Sequence, residues 1–233
     1  LLVVCDFGQI LAKQTLGVTR LGGINLHGSL LPKYRGAAPI NWALWKGERE
    51  TGVTVIHMTP RLDGGPCLTA RQTPIEPDED AIALENRLSL LGIDPVHQAI
   101  EMLSVWDGSS PLGSPQDPAQ ATKAPRLRKA DGRVDWTCPA EEICNQVRAL
   151  KPWPGCFTHW TRGGRPAVRL ILDRVTRVPD ELHPPIGQAG QVVARHDDQL
   201  WVATGDGILS LDRVQPAGKR VLSISEFLRG YPI

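Results

Sequence analysis

Apolar residues fall along this chain in two rhythms. Over roughly the first hundred residues, short apolar runs alternate with stretches of helical period. Beyond residue 125, short runs follow one another with Gly or Pro between them. The chain opens on LLVVCDFGQIL, a near-continuous apolar run that fits a strand buried on both faces of a parallel sheet. Gln9–Leu16 predicts a short helix stopped by Gly17, and Gly23–His27 a strand entered through Gly22-Gly23. Ala38–Lys46 predicts a helix, Thr54–Met58 a strand, and Leu68–Ile75 an edge or hairpin strand. Behind an acidic start at Pro77–Asp80, the residues Ala81, Leu84, Leu88, Leu91, Ile100 and Leu103 keep helical spacing. Pro95 divides this stretch into two helices or one kinked helix ending near Trp106. Strands alternating with helices predict a parallel, Rossmann-like α/β sheet, with ligands bound beyond the carboxyl ends of its strands.

Residues 107–124 read as a linker: DGSSPLGSPQDPAQ is dense in Gly, Pro and Ser and holds no large apolar cluster. The expected domains are therefore 1–106 and 125–233. In the second, Glu141–Leu150 predicts a helix. Cys156–Trp160, Ala167–Leu172, Gly190–Ala194, Leu200–Ala203 and Ile208–Val214 predict short strands, the pattern of a small β-barrel.

Charge sharpens this division. The net charge of +1 is uninformative, but residues 1–118 carry 9 Lys and Arg against 13 Asp and Glu. Residues 119–233 carry 17 against 12, so the halves stand at −4 and +5. A basic second half fits either a polyanion partner or a scattered solvated surface. The five cysteines, Cys5, Cys67, Cys138, Cys144 and Cys156, are odd in number and hold no C-x-x-C. Neither a disulfide framework nor a metal site is expected, and reduced thiols of a cytosolic protein are the simpler reading. No apolar run approaches the ~20 residues of a membrane span, so no membrane partner is expected.

The candidate chemistry lies between Gly23 and Leu68. Asn25 and His27 are two apart on one strand, so both project from one face while Ile24 and Leu26 take the other. Asp63 sits in the turn LDGG after the next apolar strand. An Asn, a His and an Asp joined by two strand ends can stabilise an oxyanion and move a proton. Each also has a plainer reading: a strand-end amide, a satisfied core histidine and a turn carboxylate.

The motif N-x-H followed by SLLPKYRGAAP, with the Asp of LDGG, resembles the formyltransferase family that uses 10-formyltetrahydrofolate. DGRVDW (131–136), VRALKPWPG (147–155) and VQPAGKRVLSISEFLRG (214–230) are similar to the branch that formylates initiator methionyl-tRNA. The resemblance runs nearly end to end. It implies a Rossmann-like catalytic domain followed by an open β-barrel of oligonucleotide-binding type. It also implies a tetrahydrofolate co-substrate with no metal, and a monomer acting in a bacterial cytosol or an organelle matrix. In its terms Asn25 donates to the oxyanion, His27 donates beside it when protonated by the influence of Asp63, and Asp63 takes the amine's proton. Ser29, Leu30, Leu31 and Pro32 match the folate-contacting segment, with Leu30, Leu31 and Pro32 as an apolar wall and Ser29 as a polar handle. Lys33, Tyr34 and Arg35 are candidates for phosphates of the tRNA acceptor end. Lys123, Arg126, Arg128 and Lys129 are candidates for tracking its backbone, and both groups read equally as solvated charge. In the resembled family several strand–helix units precede the opening strand, so the chain is expected to lack them, with an incomplete folate pocket. Transfer to an amino sugar nucleotide, or a non-catalytic RNA-binding remnant, are the alternative functions.

Overall fold

The structure is a computed structural model, and it describes residues 1–8, 11–196 and 198–231. Two compact units emerge: residues 1–44 with 48–127, and residues 128–233 with 45–47.

Along residues 1–127 the elements are β1 (Leu2–Cys5), α1 (Lys13–Leu16), β2 (Gly23–His27), β3 (Arg35–Gly36), α2 (Pro39–Trp45), β4 (Glu50–His57), β5 (Cys67–Pro74), α3 (Ala81–Leu91), α4 (Ile93–Ser104) and β6 (Lys123–Ala124). The start of the helix expected from Gln9 lies outside the described residues. One sheet runs β1-β2-β4-β5. It has the expected parallel pair, β1 with β2, while β2–β4 and β4–β5 are antiparallel. The ladder is mixed because α2 returns the chain to the same end of the sheet instead of carrying it across. The opening run, expected to bury both faces against strand–helix units that the chain was expected to lack, is open on one face among the described residues. Val3 is 55% exposed, and β1 pairs only with β2, at the margin of the described sheet.

Alternation along β2 sets the layers. Ile24 is fully buried with Val55, Ala99 and Leu103, and Leu26, Val96 and Trp106 pack against them, so α4 covers this face. Each such aliphatic side chain is worth about 1.5–3 kcal/mol when withdrawn from water. The opposite face carries Asn25 and His27. Two helices, not one kinked helix, follow β5. Asp80 caps α3 by accepting from the Ala83 amide, Gly92 joins the two, and Pro95 sits in the first turn of α4, where its missing N–H is harmless. The Gly- and Pro-rich segment expected as a linker is bound along the first unit instead. Ser114 and Cys67 exchange paired backbone bonds of 2.8 Å, and β6 runs parallel to β3. Its composition reflects scarce apolar burial, not a lack of hydrogen bonds.

The second unit contains α5 (Ala140–Ala149), β7 (Cys156–Arg162), β8 (Arg165–Arg177), β9 (Val192–Arg195), β10 (Leu200–Ala203), β11 (Ile208–Pro216), β12 (Leu222–Ser223) and α6 (Ile224–Gly230). The strands form an antiparallel sheet in the order β7-β8-β11-β10-β9, with β12 on β11. Register shifts at Trp160/Arg162 and around Arg213 increase twist and curl the sheet into a half-barrel. Leu170, Leu172, Leu200, Leu209, Leu211 and Val214 fill its interior. Phe227 of α6 closes it, meeting the Trp160 ring edge-on at 5.6 Å. Ser223 and Glu226 form a capping box at the start of α6. Among the described residues no helix is long and apolar enough to cross a membrane.

Candidate active site

The site is built on the α4-distal face of β2. Asn25 pairs with Ile56 and His27 with Thr54 in the β2–β4 ladder. Because β4 runs antiparallel, its carboxyl end lies beside Ile24, not beside His27. Asp63 still reaches His27, because residues 58–66 double back over the sheet face instead of leaving it. Two adjacent strand ends therefore do not assemble the trio, as the sequence reading supposed; one strand and a folded-back turn do.

His27 is 5% exposed. Its Nε2 lies 2.9 Å from the Tyr34 carbonyl. A carbonyl oxygen only accepts, so Nε2 carries the proton and Nδ1 is the atom turned toward Asp63. Nδ1 and Asp63 Oδ1 are 3.8 Å apart, an ion-pair distance and too long for a direct hydrogen bond. The Gly36 amide donates to the other carboxylate oxygen, Oδ2, at 2.9 Å. Asp63 itself has φ +47°, a left-handed conformation that Asp tolerates better than most residues. Asn25 is half-buried, and among the described residues its amide makes no side-chain hydrogen bond. It borders a cavity of about 80 Å³ whose other walls include Phe7, Leu16, Ile56, Met58, Leu62 and Asp63. The cavity is thus lined mostly by apolar side chains, with the unengaged Asn25 amide, the Asp63 carboxylate, Thr59 and Arg61 as its polar groups, and His27 stands outside this lining.

The remaining expected residues are placed as follows. Ser29 is fully buried, and its hydroxyl donates to the Lys33 carbonyl at 2.7 Å, so it shapes the loop instead of offering a handle on a surface. Thr54 donates to the Ser29 carbonyl at 2.8 Å and accepts the Leu31 amide at 3.1 Å, tying the loop to β4. Leu30, Leu31 and Pro32 are half-buried and stand outside the cavity's lining. Lys33 is exposed and pairs with Glu48 at 3.3 Å. Arg35 is half-buried, and its Nε and Nη2 donate to Gln116 Oε1 at 3.0 and 2.6 Å, engaging two of its five N–H donors. Lys123, Arg126, Arg128 and Lys129 are all exposed.

Residues 1–100 match the family described as "Formyl transferase", and residues 126–232 match "Formyl transferase, C-terminal domain". A methionyl-tRNA formyltransferase of Rhodopirellula baltica is 48% identical over 235 residues, covering 99% of this chain and 69% of that protein. One from Geobacter metallireducens is 41% identical, covering 99% and 70%. The chain belongs to the methionyl-tRNA formyltransferase family. Among solved structures, HypX from Aquifex aeolicus in complex with tetrahydrofolic acid shares the fold, with a TM-score of 0.68 at 19% identity. That match covers 97% of this chain but 38% of HypX, so the chain spans under two-fifths of that protein. The methionyl-tRNA formyltransferase of Clostridium thermocellum aligns with a TM-score of 0.56 at 19% identity, covering 75% and 71%.

For this member of the methionyl-tRNA formyltransferase family, several residues that build the site escaped the sequence reading. The Tyr34 carbonyl orients His27. Tyr34 has φ +61°, its amide donates to Thr122 Oγ1 at 2.8 Å, and its hydroxyl donates to Glu48 at 2.7 Å. Burial, then the Glu48 hydrogen bond, pushes the Tyr34 phenol up, so it remains a donor. Gly36 approaches β6 so closely that a Cβ would stand 2.4 Å from the Ala124 carbonyl. The available signal was the glycine in KYRG, whose need for space becomes visible only once β6 is in place.

Proposed function

We propose that this protein transfers the formyl group of 10-formyltetrahydrofolate to the amino group of initiator methionyl-tRNA, for the initiation of translation. The observation that carries the reading is that Asn25 and His27 share one face of β2, with Asp63 3.8 Å from His27 and bordering the same largely apolar cavity as Asn25, in a chain of this family. The cavity's apolar walls suit a flat heterocycle, and its polar side suits the reacting carbonyl. The donor supplies the one-carbon acyl group, which ends on the amine nitrogen while the folate nitrogen takes up a proton.

The chain's own residues then have separable tasks. Asn25 donates its amide N–H to the oxygen that becomes negative; one such donor contributes about 3 kcal/mol to the transition state. His27 presents Nδ1, because Nε2 is engaged by Tyr34. Asp63 receives the proton that the amine must lose, directly or through one water. The Gly36 bond keeps its second oxygen in place during that exchange. The second unit, with exposed Arg128 and Lys129 at its start, and the exposed Lys123 and Arg126 are assigned to the tRNA backbone. Residues 1–106 and 125–233 are read as catalytic and tRNA-binding domains of a monomer working where initiator tRNA is charged.

The test is formylation of Met-tRNA with 10-formyltetrahydrofolate by the intact protein. Amino sugar nucleotides and uncharged tRNA serve as competing acceptors. Product only with Met-tRNA supports the reading, and product only with the sugar nucleotide replaces it.

A further inference from the structure

Gln116 falls in the segment expected to be a linker, yet its side chain is fully engaged inside the first unit. Its Nε2 donates to the Asp63 carbonyl at 2.8 Å and to the Gly65 carbonyl at 2.7 Å. Its Oε1 accepts both Arg35 contacts, at 3.0 and 2.6 Å. The amide cannot be turned around: carbonyls only accept and a guanidinium only donates. Ser114, bridged to Cys67 by its two backbone bonds, delivers Gln116 opposite the turn.

These bonds meet at one place. Arg35 lies between Tyr34, whose carbonyl orients His27, and Gly36, whose amide holds the Asp63 carboxylate. A charge-assisted bond from the guanidinium to Oε1 also polarises the amide, making Nε2 a better donor to the turn. The turn needs such a hold, because Asp63 is kept at φ +47°. We propose that Gln116, oriented by Arg35, is a positioning residue for Asp63. It clamps the backbone of the turn while Gly36 clamps the carboxylate, and together they set the 3.8 Å separation between Asp63 and His27. This inference rests on the formyl-transfer reading of Asn25, His27 and Asp63.

Two variants isolate the role in the intact protein. Gln116→Met keeps the length and loses every polar contact. Gln116→Glu keeps an acceptor for Arg35 but, ionised, cannot donate to the two carbonyls. Both are expected to lower kcat by about 10- to 100-fold, the cost of a small displacement of a reacting group. KM for tRNA should stay within about threefold, because ground-state binding is untouched. Hydrogen exchange over residues 60–66 should quicken, while exchange in β8 and β11 stays as in the wild type. Arg35→Met should cost less, and should add nothing in the Gln116→Met background, as expected of a residue acting through another. Near-normal turnover in Gln116→Glu, or unchanged exchange over 60–66, would overturn the proposal. So would an Arg35→Met protein with raised KM for tRNA and intact kcat. A wild type inactive with every acceptor would remove the formyl-transfer reading alone, since the exchange measurement still decides whether Gln116 holds the turn.

Discussion

Replacing Gly36 by Ala tests, at one atom, whether β6 and the Asp63 turn are built as described. Gly36 has φ +131°, a region that residues with a Cβ rarely enter, and the new methyl would stand 2.4 Å from the Ala124 carbonyl oxygen and 3.0 Å from its carbon. That neighbour is backbone of β6, so no side chain can swing aside. Strained φ and overpacking each cost on the order of 1–3 kcal/mol, and about 2–6 kcal/mol together is the expected loss. The first unit should melt lower by on the order of 10 °C. Relief of the clash moves the Gly36 amide, which donates to Asp63 Oδ2 at 2.9 Å. A hydrogen bond to a charged group is worth about 1.5–3 kcal/mol, so kcat should fall about 10- to 100-fold below the melting temperature. Calorimetry and single-turnover formylation read the two effects separately. Gly163→Ala is the control, since a Cβ there meets nothing within 4 Å. A Gly36→Ala protein that matches this control in both melting and turnover would refute the placement of β6 against the site.

Asn25→Ala should lower kcat by about 10²- to 10³-fold while the Kd for tRNA changes little, as titration of labelled tRNA would show. Burial pushes the thiols of Cys156 and Cys144 up to about 12, so iodoacetamide at pH 8 should label exposed Cys5 first and reach these two only on unfolding, read by mass spectrometry. The Glu226 carboxyl is held down to about 2, first by its hydrogen bond to Arg220 and then by the Ser223 amide. A depressed carboxyl stabilises the fold above its ordinary value near 4.5 and loses that contribution as pH falls toward 2. Urea unfolding at pH 6 and pH 3 should therefore show a smaller acid loss in Glu226→Gln than in the wild type. Replacing Arg126, Arg128 and Lys129 together by Ala should flatten the salt dependence of tRNA binding by up to about three units, whereas Arg35→Met should leave the slope unchanged.

The strand that carries the site was legible because its signal is local. Gly23–His27 alternates cleanly, and alternation alone placed Asn25 and His27 on one face. The position of Asp63 was legible only as a turn, because its reach to His27 depends on residues 58–66 folding back over the sheet, which no local pattern encodes. Strand lengths in the half-barrel were underestimated for a related reason. β8 runs from Arg165 to Arg177, but only Ala167–Leu172 shows apolar alternation; most of the polar and charged positions at its two ends remain partly or fully exposed on a curled sheet and carry no burial signal. Gln116 was hidden by composition. A stretch rich in Gly, Pro and Ser lacks apolar periodicity whether it is free or hydrogen-bonded at every turn.

Lys33 and Arg35, two residues apart and alike in charge, show how far sequence charge is from available charge. Lys33 meets Glu48 at 3.3 Å with more than half of its side chain in water. Such a pair is worth about 0.2–1 kcal/mol, little enough for the ammonium to leave this carboxylate for another anion. Arg35 cannot make that exchange on the same terms. Two of its five N–H donors end on an amide oxygen whose other end holds the Asp63 and Gly65 carbonyls. Drawing the guanidinium outward to a phosphate would leave Gln116 unsatisfied and loosen the turn that presents the carboxylate, so binding and chemistry would oppose each other in one side chain. Arg35 is thus tied to the backbone that carries Asp63, while Lys33 is tied only to a carboxylate at the surface, and the two like charges of KYRG differ in how readily each can be drawn away.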